Sequence, residues 1–285
     1  MGAAMARRLL DHGFELAVWN RNPARAADLV ARGARLSASP ADAARGADAV
    51  LAMLADDQAS RSVWLGEQGA LAAMEPGALA IDCSTLTAEW MRELGAVAHA
   101  RGIGFLDAPV TGSKPQAEAG VLNFLVGGEA TDVERARPLI AAMGRGHVHV
   151  GPAGSGALLK LINNFMCGVQ LASLGEALGM AQRSGLDVKR VGEVLASGSP
   201  GSPIVKMVME RMVARDYTPN FLVSLMVKDL TYAMQAFAAQ GIDLADARAA
   251  CKRFQEAEAA GHGERDIASV FEPLRGASRG LPAGR

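Results

Sequence analysis

The sequence predicts an α/β domain built on a doubly wound, mostly parallel sheet, followed by an all-helical domain. Up to about residue 150, short apolar runs alternate with helix-like segments rich in Ala, Arg and Glu, which is the rhythm of β-α-β units. The segment GPAGSGALLK, at 151–160, interrupts that rhythm with three glycines and a proline. After it, apolar residues recur at helical spacing and no further strand is expected. We predict domains over 1–151 and 152–275, and a disordered tail over 276–285.

The strands of the first domain are predicted from apolar runs bounded by turn residues. In these units a strand normally precedes the first helix, whereas this sequence opens directly on Met1-Gly2 and a helical pattern. We therefore expect the first strand of the sheet to be missing. The predicted strands lie within FELAVW (14–19), ADAVLAML (47–54), GALAIDCS (77–84), GIGFLDAPV (102–110) and NFLVGG (123–128).

The second domain is predicted to begin with a long helix between the domains, because 157–181 is almost continuously apolar. Five charged or amide residues interrupt this stretch, which a lipid-spanning helix would rarely tolerate together. We interpret it as a buried helix with too little sheet around it to cover every side, which predicts a homodimer or homotetramer. The charged and amide residues are Lys160, Asn163, Asn164, Gln170 and Glu176.

Charge and cysteine content limit the partners and the compartment. The 285 residues carry a formal net charge of -1 and no block of Lys or Arg, which argues against nucleic-acid and membrane partners. Cys83, Cys167 and Cys251 are odd in number and widely spaced, as expected of reduced thiols in a cytoplasmic protein. No metal-binding pattern is apparent, and the N-terminus lacks the apolar core of a secretion signal.

Three residues near the N-terminus match a dinucleotide fingerprint. Gly2 fits the third glycine, which lies in the first helical turn and allows close packing of the helix on a strand. The next strand ends at Asn20-Arg21, where an uncharged residue followed by arginine suits a ribose 2′-phosphate better than a 2′-hydroxyl. This predicts a Rossmann-type domain that prefers NADP(H) to NAD(H). The alternative is that Arg21 is a solvated loop residue.

Two longer segments, FLDAPVTGSKPQAEAGVLNFLVGG (105–128) and GSGALLKLINNFMCG (154–168), resemble the β-hydroxyacid dehydrogenase family, which includes 3-hydroxyisobutyrate dehydrogenases and semialdehyde reductases. The resemblance covers nearly the whole chain. The family pattern opens Gly-x-Gly-x-x-Gly, of which Met1-Gly2 reproduces only the end. An internal start codon or a real truncation would account for about ten missing residues.

The resemblance implies that Thr111, Gly112 and Ser113 form the site for the substrate carboxylate. A glycine between two hydroxyl residues lets backbone N–H groups and hydroxyls converge on a small anion. The alternative is an ordinary Gly/Pro-rich turn after a strand. Lys114 follows Ser113 where many members have a second glycine, and this form is similar to the glyoxylate/succinic semialdehyde reductase branch.

Lys160 and Asn164 are four residues apart in a helical stretch, so both project from one face. The resemblance implies that Lys160 is the general acid that protonates the carbonyl oxygen and that Asn164 orients it. A lysine whose pKa is lowered by burial can exchange protons near neutral pH. The alternative is a lysine whose amine reaches the helix edge.

Other positions match the family less specifically. The resemblance implies cofactor contacts at three strand ends or turns, Met53, Leu54 and Thr85, which could also be ordinary turns. In the helical domain, FLVSLMVKDL (221–230) resembles a family element whose lysine reaches cofactor and substrate. It implies roles in binding for Phe221, Lys228 and Asp229, and the alternative is an exposed Lys-Asp pair.

Together these features predict an NADP(H)-dependent oxidoreductase that interconverts a small 3-hydroxy or ω-hydroxy carboxylic acid with its semialdehyde or oxoacid. Relatives that act on imines generally replace the catalytic lysine, so Lys160 favours oxoacid or semialdehyde chemistry. The competing hypothesis is a non-catalytic, oligomeric remnant of the fold that acts as a binding or scaffold subunit. Its support is the expected loss of the strand and loop that would cradle the pyrophosphate.

Overall fold

The computed structural model describes residues 1–275, so the tail predicted over 276–285 lies outside the described residues. The chain divides into two compact units between Leu161 and Ile162. The first unit combines helices with a mixed sheet, and the described part of the second is helical. This confirms the predicted fold class.

Several helices of the first unit begin where short polar side chains accept backbone N–H groups. Ser39 Oγ accepts from Asp42, and Asp56 Oδ1 accepts from Ala59. The helices are Gly2–Asp11 (α1), Ala27–Ala31 (α2), Pro40–Ala44 (α3), Asp57–Trp64 (α4), Ala88–His99 (α5), Lys114–Ala119 (α6) and Ala130–Met143 (α7). The strands are Ala17–Val18 (β1), Arg35–Leu36 (β2), Ala49–Ala52 (β3), Leu79–Asp82 (β4), Gly104–Asp107 (β5), Val110–Thr111 (β6), Leu122–Gly128 (β7) and Gly144–Gly151 (β8).

The strands form two sheets. β1 and β2 pair in parallel as a separate two-stranded sheet, and β3, β4 and β5 pair in parallel within a six-stranded sheet. β7 pairs antiparallel with two strands, with β6 near its N-terminal end and with β5 at its C-terminal end. It pairs in parallel with β8. Among the described residues, β1 and β3 each have a single paired neighbour.

Helices cover both faces of the larger sheet, because side chains alternate along its strands. On one face Leu79, Ile81 and Leu106 pack with α1 and α7. On the other face Ala80 and Phe105 pack in a cluster that includes residues of α4 and α5. This two-sided packing is typical of a doubly wound domain.

The second unit is a helical bundle with one core. Leu171, Leu178, Met226, Phe254 and Phe271 belong to a single buried cluster. The helices are Ser155–Arg183 (α8), whose first turns belong to the first unit, Val188–Ser197 (α9), Pro203–Ala214 (α10), Val223–Ala238 (α11) and Ala245–Ala257 (α12). A π-helical turn, Glu258–His262, and a 3-10 helix, Ile267–Leu274, follow.

The boundary predicted after residue 151 precedes the division of the two units, because the first turns of α8 are anchored to the sheet of the first unit. Asp107, at the end of β5, accepts two N–H groups at the start of this helix. α8 is long and apolar enough to cross a membrane by length and composition. Along this helix Leu161, Leu171 and Leu178 are fully buried within the protein, whereas Leu158, Ile162 and Met166 are exposed.

Candidate active site

The ends of the parallel strands bring several predicted site residues to one edge of the sheet. Ala52, Asp82 and Asp107 are the last residues of β3, β4 and β5, and they are paired in register. The segments that follow these residues therefore emerge side by side. Ligands in open α/β folds bind outside this carboxyl edge.

Asp82 organises the loops after β3 and β4. Its buried carboxylate accepts hydrogen bonds from the Ser84 backbone N–H, the Trp64 indole and the Ser60 hydroxyl at 2.8–2.9 Å. Ser84 Oγ in turn accepts the Leu54 N–H at 2.7 Å. Burial raises the pKa of Asp82, and these hydrogen bonds oppose the shift. The network holds the Met53–Leu54 turn beside the Ser84–Thr85 turn.

Gly2 packs against the same region. It is the first residue of α1, and a Cβ atom added to it would lie 3.3 Å from Cβ of Met53. This close approach is what the third glycine of the fingerprint provides. The structure thus brings Gly2 and Met53 together, and their contact with a cofactor stays a prediction.

Asn20 and Arg21 line a cavity of about 480 Å³ after β1. Asn20 Oδ1 accepts the Asn22 N–H at 2.9 Å, which shapes the turn. The side chains described around this cavity include an arginine and no carboxylate. The cavity therefore suits an anionic group better than a cation. Its lining consists of Trp19, Asn20, Arg21, Pro23, Leu36, Ser37 and Ala38.

The predicted carboxylate loop has the conformation that its glycine permits. Thr111 ends β6, and Gly112 has a φ of +107°, which side-chain-bearing residues rarely adopt. A Cβ at Gly112 would also lie 3.0 Å from Cβ of Gln116. Ser113 precedes α6, where its N–H and its hydroxyl both donate to Gln116 Oε1 at 2.9 Å. The Thr-Gly-Ser turn is therefore locally ordered.

Lys160 and Asn164 lie one turn apart on α8, as their spacing predicts. Lys160 is 9% exposed and Asn164 is 2% exposed. A buried lysine needs polar partners or a function, because desolvation of its charge is costly. Thus both polar side chains face the protein interior.

In the helical unit, Asn164 is held by the Lys-Asp pair that the sequence singles out. Its Nδ2 donates to Asp229 Oδ2 at 2.6 Å, and Lys228 Nζ lies 3.0 Å from Asp229 Oδ1. Asp229 is buried, so it is not part of an exposed ion pair. Phe221 packs, partly buried, against the core of the same unit, and its N–H donates to Asp266.

Sequence reasoning missed the supporting carboxylates. Asp82 and Asp107 both lie within predicted strands, but the sequence assigns no supporting role to either. The available signal was an ionisable residue as the last residue of an apolar strand, in AIDCS and FLDAPV. A charge there requires hydrogen-bond donors from elsewhere in the fold. Within residues 1–275, no group of three or more His, Cys, Asp or Glu side chains could hold a metal ion.

Two family models together match nearly the entire chain. The NAD binding domain of 6-phosphogluconate dehydrogenase matches residues 1–151. The NAD-binding domain of NADP-dependent 3-hydroxyisobutyrate dehydrogenase matches residues 154–274. The matches follow one another in the same order as the α/β and helical parts.

Individual relatives are similar over almost their full length. An NAD-dependent L-serine dehydrogenase of Pseudomonas aeruginosa is 37% identical, over 97% of this chain and 96% of the relative. Glyoxylate/succinic semialdehyde reductase 1 of Arabidopsis thaliana is 32% identical, over 96% of this chain and 95% of the relative. The structure of Mycobacterium tuberculosis 3-hydroxyisobutyrate dehydrogenase with L-serine is similar with a TM-score of 0.86 and 31% identity. The match covers 97% of this chain and 96% of that structure's chain.

Proposed function

The chain belongs to the β-hydroxyacid dehydrogenase family, and from that premise we propose that it is an NADP(H)-dependent enzyme that interconverts a small 3-hydroxy or ω-hydroxy acid with its semialdehyde or oxoacid. At the coarser level it is an NAD(P)-dependent hydroxyacid dehydrogenase or reductase of small substrates. The observation that carries the finer proposal is the buried Lys160, one turn from an Asn164 that Asp229 holds.

The proposed preference for NADP(H) rests on Asn20 and Arg21. An arginine beside a cavity without a carboxylate can pair with a ribose 2′-phosphate, whereas a 2′-hydroxyl is usually met by Asp or Glu. One relative is named as an NAD-dependent enzyme and one matching family model is named for an NADP-dependent enzyme, so the proposed choice depends on these two residues.

The residues present fit a dinucleotide, because Gly2 permits the close helix packing that the fingerprint requires and the cavity beside Arg21 suits a phosphate. When bound, the nicotinamide supplies the hydride chemistry. The chain's own residues bind and orient it. The proposed cofactor-binding residues are Gly2, Asn20, Arg21, Met53, Leu54, Thr85, Phe221, Lys228 and Asp229.

Substrate binding is proposed to depend on the Thr111-Gly112-Ser113 turn and on Lys228. The positive φ of Gly112 lets successive N–H groups turn toward one point, and the flanking hydroxyls add donors. Lys228 adds a positive charge. A small substrate that bears a carboxylate as well as a carbonyl or hydroxyl group suits these donors.

Lys160 is proposed to donate a proton to the carbonyl oxygen during reduction and to accept it during oxidation. Asn164 restricts the geometry of this exchange. Orientation and stabilisation of charge on the carbonyl oxygen would supply most of the rate enhancement. All of these roles are carried by residues of the chain itself.

The test is to measure NADPH and NADH oxidation with glyoxylate, succinic semialdehyde, tartronate semialdehyde and methylmalonate semialdehyde. Lys160→Ala should lower kcat by roughly 100-fold to 10,000-fold with the best substrate, because proton transfer contributes that much. Lys206→Ala, which removes an exposed lysine of α10, is the matched control and should leave kcat unchanged. An unchanged rate in Lys160→Ala removes Lys160 from the mechanism. A wild-type chain inactive with all four aldehydes favours the scaffold alternative.

We also propose that the protein is a cytoplasmic homodimer or homotetramer. Leu158, Ile162 and Met166 recur every four residues on α8, and they are 37%, 36% and 51% exposed. An exposed apolar stripe of this kind suits burial against a second copy. Sedimentation velocity at micromolar concentration tests the proposal, and a stable monomer contradicts it.

A further inference from the structure

The start of α8 is tied to the end of β5 by one buried side chain. Asp107 Oδ1 accepts the Gly154 N–H and Oδ2 accepts the Ala157 N–H, both at 2.7 Å. The first N–H groups of a helix have no partners within the helix, and they carry a partial positive charge. A fully buried carboxylate that accepts two of them is therefore a strong anchor.

The backbone around this anchor is packed so closely that there is no room for a side chain at two glycines. A Cβ added to Gly127 would lie 2.5 Å from Asp107 Oδ1, and one added to Gly156 would lie 2.3 Å from the Leu125 carbonyl oxygen and 2.8 Å from that of Asp107. The first turn of α8 thus packs directly on the backbone of β5 and β7. Only glycine permits such close backbone contact, so the helix start packs tightly on the sheet.

Asp107 links the segment that leads into the predicted carboxylate-binding turn to the helix that carries Lys160. The residues after it lead through Ala108 and Pro109 into the Thr111-Gly112-Ser113 turn, and Lys160 lies three residues beyond Ala157 on α8. We propose that Asp107 is a positioning residue that sets the proton-donating helix against the carboxylate-binding turn. This inference rests on the proposed function of that turn and of Lys160.

Few charged groups surround Asp107. Asp82, its register partner on β4, acts on it electrostatically, and β7 contains no ionisable side chain. On α8 the first ionisable residue is Lys160, and on α5 the nearby charge is Arg92, whose Cγ lies 3.0 Å from the position of a Cβ at Gly154. Asp132 of α7 binds the opposite end of β5, at the Phe105 N–H.

Burial raises the pKa of Asp107 to about 6, and the two N–H donors oppose the shift. Since this folded pKa exceeds the ordinary value of 3.8, protonation favours the folded state. The contribution of Asp107 to global stability therefore increases as the pH falls through about 6 toward 4. Protonation nevertheless replaces one acceptor with an O–H donor, which loosens the local anchor. Activity and stability should thus respond to acid in opposite directions.

The experiment compares Asp107→Asn and Asp107→Ala with the wild-type protein, and with Asp132→Asn as a matched control at the other end of β5. Amide hydrogen exchange of peptides covering 152–162 reports the anchor without any assay of activity. Exchange there should increase about tenfold in both Asp107 variants, as expected for loss of a helix-capping acceptor. Asp132→Asn should leave exchange in these peptides unchanged.

The kinetic readout is kcat across pH. Asp107→Asn should lower kcat about tenfold at pH 8, with a smaller change in KM, because a displaced donor affects the chemical step. In the wild type we expect kcat to decline as the pH falls through the region near 6. This decline should be absent in Asp107→Asn and present in Asp132→Asn. Unchanged exchange in Asp107→Asn, or equal losses of kcat in Asp107→Asn and Asp132→Asn, would overturn the inference. If the wild type turns over none of the aldehydes, the proposed function fails, but hydrogen exchange still decides whether Asp107 anchors α8.

Discussion

The two units hold their proposed functional residues by different means. In the α/β unit, the buried carboxylates of Asp82 and Asp107 accept backbone N–H groups of loops and of a helix start. In the helical unit, the side chain of Asn164 bonds directly to the side chain of Asp229. A carboxylate that binds backbone determines the path of the chain, whereas a pair of side chains determines only the orientation of those side chains. Removing the first kind should therefore displace backbone, with a loss of stability or of the position of a whole segment, and removing the second should affect chemistry without moving the backbone.

The largest expected effect tests the first half of this comparison. Asp82→Ala leaves the Ser84 N–H, the Trp64 indole and the Ser60 hydroxyl without their buried acceptor. We expect the free energy of unfolding of the α/β unit to fall by about 3 kcal/mol. Denaturant unfolding followed by tryptophan fluorescence measures it, because Trp64 and Trp90 are buried in this unit.

Asp48→Ala is the control for this prediction, since Asp48 is exposed just before β3. It should change the free energy of unfolding by less than about 0.5 kcal/mol. Equal losses in the two variants would show that the Asp82 network does not hold the loops.

The intermediate effect tests the helical unit. Asn164→Ala removes the contact with Asp229 but leaves Lys228 paired with that carboxylate. We expect kcat to fall about 30-fold, which corresponds to about 2 kcal/mol, because the variant lacks the amide that is proposed to orient Lys160. Steady-state kinetics at saturating cofactor and a thermal melt separate this loss from unfolding.

Asn163→Ala provides the adjacent comparison, because Asn163 is half-buried and its Nδ2 donates to Asn164 Oδ1 at 3.0 Å. It should lower kcat no more than about threefold. If Asn163→Ala is as damaging as Asn164→Ala, the effect belongs to helix packing and not to the contact with Asp229.

The smallest expected effect is at the exposed Arg21, which belongs neither to the buried carboxylate contacts nor to the Asn164–Asp229 pair. Arg21→Ala should raise KM for NADPH about tenfold, or about 1.4 kcal/mol, and leave KM for NADH unchanged, because only the 2′-phosphate is affected. Arg25→Ala is the control, because Arg25 lies in the neighbouring turn Pro23–Ala26 but outside the cavity lining. It should change neither the KM for NADPH nor the KM for NADH. A parallel rise in both KM values for Arg21→Ala would contradict a role in selecting NADP(H).

Elements with strong local patterns could be predicted from the sequence, and elements defined by distant pairing could not. The runs that hold β3, β4, β5 and β7 have enough apolar residues to indicate strands. β8 contains three glycines, an arginine and two histidines, and it forms a strand because β7 offers it a parallel edge. FELAVW is reduced to the two residues of β1, since only β2 pairs with it.

The same distinction applies to the candidate site. The spacing of Lys160 and Asn164 on one helix face, and the glycine at 112, follow from helix geometry and backbone conformation, which are local properties. Their contacts with a substrate or cofactor stay predictions. The partner of Asn164 could not be predicted by spacing, because Asp229 lies 65 residues further along the chain.

By itself, the sequence determined the order of an α/β part and a helical part, the turn at Thr111-Gly112-Ser113 and the shared helix face of Lys160 and Asn164. These depend on periodicity and on conformational preferences within a few residues. Only the tertiary structure decided that Asp107 accepts N–H groups 47 and 50 residues away. A buried charge takes whatever donors the completed fold brings to it, and no local pattern specifies them.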